Sequence, residues 1–572
     1  MRSLPHPSTL SRLAAALAGA LVVVTAAAGC SLLRGADETA TGPGFPLLPQ
    51  QLADPAATAA AIVAAMSDEE LVGQVLVPYA YGDDANTVSP GSRAGNQQIG
   101  GVDTPAQLVA RYKLGGLILV SFSADDPTGD TNPTTNLENP AQVRTLTSGL
   151  QTASGRVPLL IGTDQEYGVV NRLSSGIVQL PAAMALGAAG DPGLTRAAWA
   201  AAGADLAAVG INVDFAPDAD VLGPGGNGVI GSRSFGQDPK AVADQVAAAV
   251  QGLQSAGVAA TLKHFPGHGH TLTDSHESLP QLTQSLADLD SGDLPPFTSG
   301  IAAGTDLVMS GHLDVRAIDP GVPASFSSKV LIDLLRGKLG FTGVVITDAL
   351  NMAPAEVYPP GEAAWRAIVA GNDMLLMPPD LPAAQQGLLA ALKSGQLPRA
   401  RLVEAVTRIV TLKVKLSGGP RAADVTTVGG SQAQQAAQAV AAAGVTVLKG
   451  ACTGPLVKGA VTVTASGGRD QAVAWLKEAL AADGVTVRDS GGTVVHLVGY
   501  GDTAADLSAS ARVTVAMDTP YILANAKSPV RVATYSSSQP SMRALAAVLA
   551  GKATPTGVSP VDVRGLPRTA CA

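Results

Sequence analysis

The chain has 572 residues, 46% apolar and 15% charged, which allows more than one domain and a sizeable core and excludes a disordered chain. Its formal net charge of −9 is mild for this length, and it has no long basic run or basic-aromatic patch, so nucleic acid is excluded as a partner.

The first segment stands outside the fold. Arg2 and Arg12 accompany an apolar, small-residue run from Leu13 to Ala28, which ends in Ala27-Ala28-Gly29-Cys30. Cleavage before Cys30 would leave a cysteine to carry lipid, so residues 1–29 read as a lipoprotein signal peptide. The protein is then expected on the extracytoplasmic face of the cell membrane, held by its N-terminal lipid. An ordinary secretory signal or an uncleaved anchor is the alternative. Residues 30–50, with Gly42-Pro43-Gly44 and Pro46, read as a tether.

Ser67-x-x-Glu70 ahead of Leu71, Val72 and Val75 predicts a capped helix start. Short apolar runs then recur near 74–79 and at 116–122, 158–163, 211–216, 258–264, 306–311, 343–348 and 374–378. Between most of them lie Ala/Leu-rich stretches of helical period, such as 193–209, 240–256 and 328–339, and a last one at 397–415. Alternation of this kind predicts a parallel sheet, and about eight units predict a (β/α)8 TIM-type barrel over residues 51–416. An open doubly wound sheet is the competitor, but no Gly-x-Gly-x-x-Gly loop follows the first strand.

Residues 417–430 read as a linker, and 431–572 as a second, smaller α/β sandwich domain. Its strands are expected near 444–448, 460–465, 484–488, 493–498, 512–517 and 530–535, with helices near 470–482 and 539–550. Cys452 and Cys571 could pair in an exported protein and pin the tail to this domain.

Polar residues close the barrel runs: Asp164, Asp214, Lys263-His264, His312 and Asp348. The C-terminal ends of barrel strands are where such folds build their sites. The densest chemistry is Lys263-His264-Phe265-Pro266-Gly267-His268-Gly269-His270, continuing to Asp274-Ser275-His276. The histidine spacing matches no zinc motif, and neither metal nor cofactor is expected. A carboxylate beside an imidazole orients it and stabilises its cation, so Asp274 and His276 read as an acid/base dyad. Asp348, closing an apolar strand in Thr347-Asp348-Ala349-Leu350-Asn351-Met352, is the candidate nucleophile, with a helix N-cap as its bland alternative. Arg172, Arg233 and Lys263 could balance its charge or hold substrate oxygens.

Lys-His-Phe-Pro-Gly-His-Gly followed by Asp-Ser-His closely resembles the signature of the glycoside hydrolase family 3 β-N-acetylglucosaminidases. Thr347–Met352 resembles their nucleophile segment, and Asp164-Gln-Glu-x-Gly-x-Val-x-Arg172 their early sugar-binding motif. The resemblance spans roughly residues 60–415 in the family's order. It implies a retaining mechanism in which Asp348 attacks the anomeric carbon and His276, oriented by Asp274, is the acid/base. It further implies that Asp164, Arg172, Arg233, Lys263 and His264 grip the terminal sugar. The implied substrate is a terminal β-linked N-acetylglucosamine, in glycosides or muropeptides of the cell envelope. The family usually has Glu-Gly-Gly where this chain has Glu166-Tyr167-Gly168; Tyr167 could stack on a sugar face or narrow the pocket, which makes the terminal sugar less secure than the family. A phosphorylase is the enzymatic alternative, because a neutral histidine acid/base would not repel phosphate. Outside catalysis, the alternative is a silent wall-sugar-binding lipoprotein. A β-glucosidase or β-xylosidase of the wider family would not be expected to carry the Asp-Ser-His dyad. The oligomeric state is not legible.

Overall fold

The computed structural model describes residues 47, 49–121, 136–226, 228–271, 275 and 278–571. Cys30, Asp274 and His276 lie outside the described residues, as do the expected signal peptide and nearly all of the tether.

Eight short parallel strands form the barrel: β1 (Leu76–Val77), β2 (Gly116–Ile118), β3 (Leu160–Thr163), β4 (Val213–Asp214), β5 (Ala259–Phe265), β6 (Leu307–Ser310), β7 (Val344–Thr347) and β8 (Leu375–Leu376). Strands β2 to β7 pair in chain order, and β8 pairs with β1. The ring closes through Thr347 N–H on the Met374 carbonyl (3.0 Å) and Ile118 N–H on the Pro78 carbonyl (3.0 Å). Most strands are shorter than their apolar runs, because the flanking residues leave the ladder to enter the loops at the mouth. Helices Pro192–Ala208 and Pro239–Ser255 match the expected stretches, and the expected helix at 328–339 is wound with i→i+5 bonds over Lys329–Lys338.

Helix starts follow a common local rule. Asp54, Ser89, Thr104, Asn139, Asp191 and Asp238 each cap a free backbone N–H, and each is followed by proline at the first helical position. Ser67 and Glu70 form the reciprocal capping box. At the N-terminal end of β8, buried Asp373 binds Arg336 (2.6 Å), Arg401 (2.9 Å) and Arg408 (3.1 Å), tying two helices, Lys329–Lys338 and Arg399–Ser417, to the ring on the face away from the site.

The second sheet, in spatial order, contains β9 (Thr446–Lys449), β13 (Val530–Ala533), β12 (Val513–Ala516), β11 (Thr493–Val498) and β10 (Val461–Ala465), with only β9 antiparallel. The strand expected at 484–488 is a single bridge, Val487 to Val461, at the sheet edge. Residues there alternate only between half-buried and exposed, so too little apolar surface is covered to hold a longer ladder. Period-two alternation assigns the sheet's two faces. Val447, Leu497, Val515 and Val532 pack with helices Asp470–Ala482 and Gln539–Leu549, whereas their successors Leu448, Val498, Ala516 and Ala533 pack with Met184 and Ala185 of the barrel. Barrel and sheet belong to one compact unit, Pro43–Ala572. Cys452 and Cys571 are joined by a disulfide, with Cα atoms 5.3 Å apart.

Lys413 is buried on the last barrel helix, and its ammonium donates to the Gln74 side-chain oxygen at 2.7 Å. Burial pushes its pKa down to about 7. From about pH 10.4 down to about 7 the unfolded chain binds this proton and the folded chain does not, so stability falls as pH falls, by roughly 1.4 kcal/mol per unit. Lys413→Met should therefore raise thermal stability by several degrees at pH 6 and by much less near pH 10. Unfolding scans at the two pH values check this.

Candidate active site

Four strand ends converge on one pocket. From β3 come Asp164 and Glu166, and the hairpin that follows brings Arg172. The loop after β4 brings Asp218, Asp220 and Arg233, although only Arg233 reaches the pocket wall. From β5 come Lys263, His264 and His268, and from β7 Asp348. Met309, Met352 and Met377 add apolar side chains to a lining that is otherwise rich in charge. Ser275, which stands between Asp274 and His276 in sequence, also lines it.

Glu166 is at the centre of the ion pairs. Its carboxylate accepts from Arg233 Nε (2.7 Å) and Nη2 (2.9 Å) and from Lys263 Nζ (2.6 Å). Lys263 also reaches Asp164 at 2.9 Å, and Arg172 reaches the same Asp164 at 3.5 Å. Burial works against the Glu166 carboxylate, but Arg233 and Lys263 outweigh it and hold its pKa at about 2. Burial likewise opposes the Lys263 cation, and Asp164 and Glu166 more than offset it, raising its pKa. These cations are therefore buried and paired, and the surface ion pairs that are the ordinary fate of Arg and Lys do not describe them.

His264 is held by Asp220: its Nδ1 lies 2.8 Å from the Asp220 carboxylate, which also accepts the backbone N–H of His264 (3.2 Å) and of His268 (2.6 Å). Burial, then the nearby Arg233, lowers the His264 pKa to about 4, so the ring is neutral at pH 7. Its Nδ1 then carries the proton toward Asp220, and Nε2 accepts from Arg233 Nη2 at 3.3 Å. Burial raises Asp218 and brings Asp220 to about 7. Asp218, Asp220 and His264 place three ligand atoms within 4.8 Å of one another, a set able to hold a cation, although Arg233 already brings positive charge to 4.0 Å from Asp218. The other described histidines of this loop part company. His268 pairs with Thr271 (2.7 Å) and His270 with Asp293 (2.8 Å).

Asp348 is fixed through its backbone. Its N–H donates to the Ser310 carbonyl (2.9 Å), and its carboxylate accepts from the next residue's N–H (2.8 Å). His312 does not line the pocket; its Nε2 is 3.0 Å from the Ala349 carbonyl and its Nδ1 2.7 Å from the Ser325 hydroxyl, which braces the chain behind Asp348. Asp214 also lies below the mouth, accepting the Gln165 N–H at 2.9 Å.

Tyr167 departs from expectation. Its ring is buried away from the pocket, edge-on to Trp199 with centroids 6.0 Å apart, so it neither stacks on a sugar nor narrows the entrance. Its backbone has φ 66°, next to Gly168 at φ 71°, a left-handed turn that glycine enters without strain. A turn that favours glycine is thus occupied by a residue whose ring burial offsets roughly 1 kcal/mol of backbone strain.

The structure brings together Asp164, Arg172, Arg233, Lys263, His264 and Asp348. Sequence reasoning missed Asp218 and Asp220, and treated Glu166 only as motif. The signal for the aspartates is Asp218-x-Asp220 just beyond β4, at the same end of the barrel as the other site residues.

Residues 96–412 match the glycosyl hydrolase family 3 N-terminal domain, more than half of the chain. The chain belongs to glycosyl hydrolase family 3 and is a glycoside hydrolase. Its curated relatives include a β-hexosaminidase of Pseudomonas aeruginosa, 38% identical over 303 residues that cover 52% of this chain and 84% of that one. Another is β-hexosaminidase A of Pseudoalteromonas piscicida, 34% identical over 342 residues, 54% of this chain and only 55% of the relative's length. A family 3 β-N-acetylglucosaminidase from Paenibacillus sp. str. FPU-7 superposes with a TM-score of 0.75 at 31% identity, over 87% of this chain and 99% of that one.

Two outcomes follow for the variants. Glu166→Gln removes the negative charge between Arg233 and Lys263 and should lower kcat/KM about 10²-fold, close to 2.7 kcal/mol, on any aryl glycoside the wild type cleaves. Tyr167→Phe should leave KM within about twofold, and Tyr167→Gly should cost about 2–4 kcal/mol of stability with little change in KM. Steady-state kinetics paired with thermal unfolding separate these effects, and a large rise in KM for Tyr167→Phe would return the ring to the pocket.

Proposed function

We propose that this glycoside hydrolase is a retaining exo-β-N-acetylglucosaminidase that removes terminal N-acetylglucosamine from β-linked glycosides, peptidoglycan fragments among them. The observation that carries the reading is Asp348 in one pocket with the Asp164–Lys263–Glu166–Arg233 ionic lattice. That arrangement offers one carboxylate to a reacting carbon beside paired cations and anions suited to sugar hydroxyls. The β-hexosaminidase relatives support the choice of sugar.

In the proposed first step the Asp348 carboxylate forms a bond to C1 while the C1–O bond to the leaving group breaks. His276 gives its proton to the departing oxygen. In the second, His276 takes a proton from water, the water oxygen bonds to C1, and the bond to Asp348 breaks. Asp274 would orient the imidazole in both steps. Asp164, Arg172, Lys263, His264 and Arg233 would hold the sugar's hydroxyls and set C1 over Asp348. The muropeptide substrate and the lipid anchor at Cys30 rest on the sequence reading of residues 1–50.

The test compares aryl β-N-acetylglucosaminide with the glucoside and xyloside, for wild type and Asp348→Ala, with and without phosphate. Preferential cleavage of the N-acetylglucosaminide is expected, falling by roughly 10³-fold or more in the variant, about 4 kcal/mol of barrier. A folded wild type inactive on all three would sink the reading, and sugar 1-phosphate as the product would replace hydrolysis with phosphorolysis.

A further inference from the structure

The loop that supplies Arg233 leaves the barrel and meets the second domain before it returns. Leu222 and Ile230 are buried with Leu448, Val498, Ala516 and Tyr535. Gly226, at φ 80°, sits so near the Tyr521 ring that a Cβ there would lie 2.4 Å from a ring carbon, so any other residue would strain the turn and displace the ring. In the tight turn Gly231–Arg233 the Ser232 hydroxyl donates to the carboxylate of Asp518, just beyond β12. Gln237, at the loop's end, gives its backbone N–H to the Pro560 carbonyl (3.1 Å) and its side-chain amide to Asp562 (2.6 Å). Among the described residues, none of the second domain lines the pocket.

Ser232 and Arg233 are consecutive, and they are held from opposite sides: the hydroxyl by the second domain, the guanidinium by Glu166 of the barrel. The apolar seam already supplies adhesion between the two parts, so one further hydrogen bond adds little to it. It acts, however, one residue from a side chain of the site, where a displacement of about 1 Å can cost about 10²-fold in rate. We propose that Asp518 is a positioning residue: by accepting the Ser232 hydroxyl it fixes the Gly231–Arg233 turn, and so fixes where Arg233 meets Glu166 and the sugar. This rests on the proposed role of Arg233 in holding the sugar. It gives the second domain a part in the reaction without contact to substrate.

The experiment uses full-length wild type, Asp518→Ala, Asp518→Asn, Ser232→Ala and the Ser232→Ala/Asp518→Ala double variant. KM and kcat are measured separately on aryl β-N-acetylglucosaminide, with hydrogen exchange of the backbone over residues 228–237. Each alanine variant should raise KM about 5- to 10-fold with a smaller effect on kcat, and exchange in 228–237 should quicken. The double variant should be no worse than either single one, because both remove the same contact. Asp518→Asn, whose amide oxygen still accepts the hydroxyl, should recover most of the loss. Folded alanine variants with wild-type KM and exchange would overturn the proposal, as would additive effects or an asparagine variant as impaired as alanine. Should Asp518→Ala not fold, Ser232→Ala carries the same comparison. A wild type inactive on every glycoside, with exchange still faster in the alanine variants, would reject the substrate reading and leave the brace standing.

Discussion

Two buried cations, Arg233 and Lys263, share one buried carboxylate, Glu166, and the mouth of the barrel is arranged around that contact. Taking three charges out of water is costly, and the cost is offset only while all three stay in register. Each comes from a different strand end, so the register depends on the ring of strands below and on the loops between them. Asp164 extends the pairing toward solvent, where it is part-buried and shared by Lys263 and Arg172. Neutral His264 adds no further charge, because its Nδ1–H donates to Asp220 and its Nε2 is left to accept from Arg233. The result is a preset arrangement of donors and acceptors that a sugar can meet without reorganising the protein.

The two ends of the barrel solve different problems with the same residue types. At the mouth, carboxylates and cations line a pocket. At the opposite end Asp373 is enclosed by Arg336, Arg401 and Arg408 and serves to anchor helices to the ring. Polar clusters at strand ends therefore mean function only when they lie at the C-terminal end. His312 adds a further distinction: it is at the right end, yet it works from behind, on the carbonyl beside Asp348.

The barrel was legible because parallel strands buried on both faces read as unbroken apolar runs, and Val344-Val345-Ile346 or Leu307-Val308-Met309 could hardly be anything else. Helix starts were legible in part, since six of the helices open on a proline preceded by Asp, Ser, Thr or Asn, although the same pairs also occur at turns such as Asp319-Pro320. The motif residues Asp164, Arg172, Lys263, His264 and Asp348 meet in space as their strand-end positions suggested. What could not be read is contact between distant segments. Asp220 beneath His264 is 44 positions away in sequence, and Asp518 beside Ser232 is 286. Tyr167 misled for a local reason: an aromatic beside a sugar motif suggests stacking, whereas its left-handed backbone turns the ring into the core. The strand expected at 484–488 is reduced to a single bridge because Val485 and Val487, at the sheet edge, are only half-buried against the core.

The disulfide between Cys452 and Cys571 closes a loop of 119 positions, which in chain-entropy terms removes roughly 4–5 kcal/mol worth of freedom from the unfolded ensemble. Inside that loop lies the stretch around Pro560 and Asp562 that grips Gln237, a few residues beyond Arg233. The molecule's covalent closure and the strap that grips the loop of Arg233 are thus one continuous length of chain. Reduction would turn a stapled strap into an open strand held by individual hydrogen bonds, and the surroundings' thiol balance would then become a variable of the enzyme's folding yield.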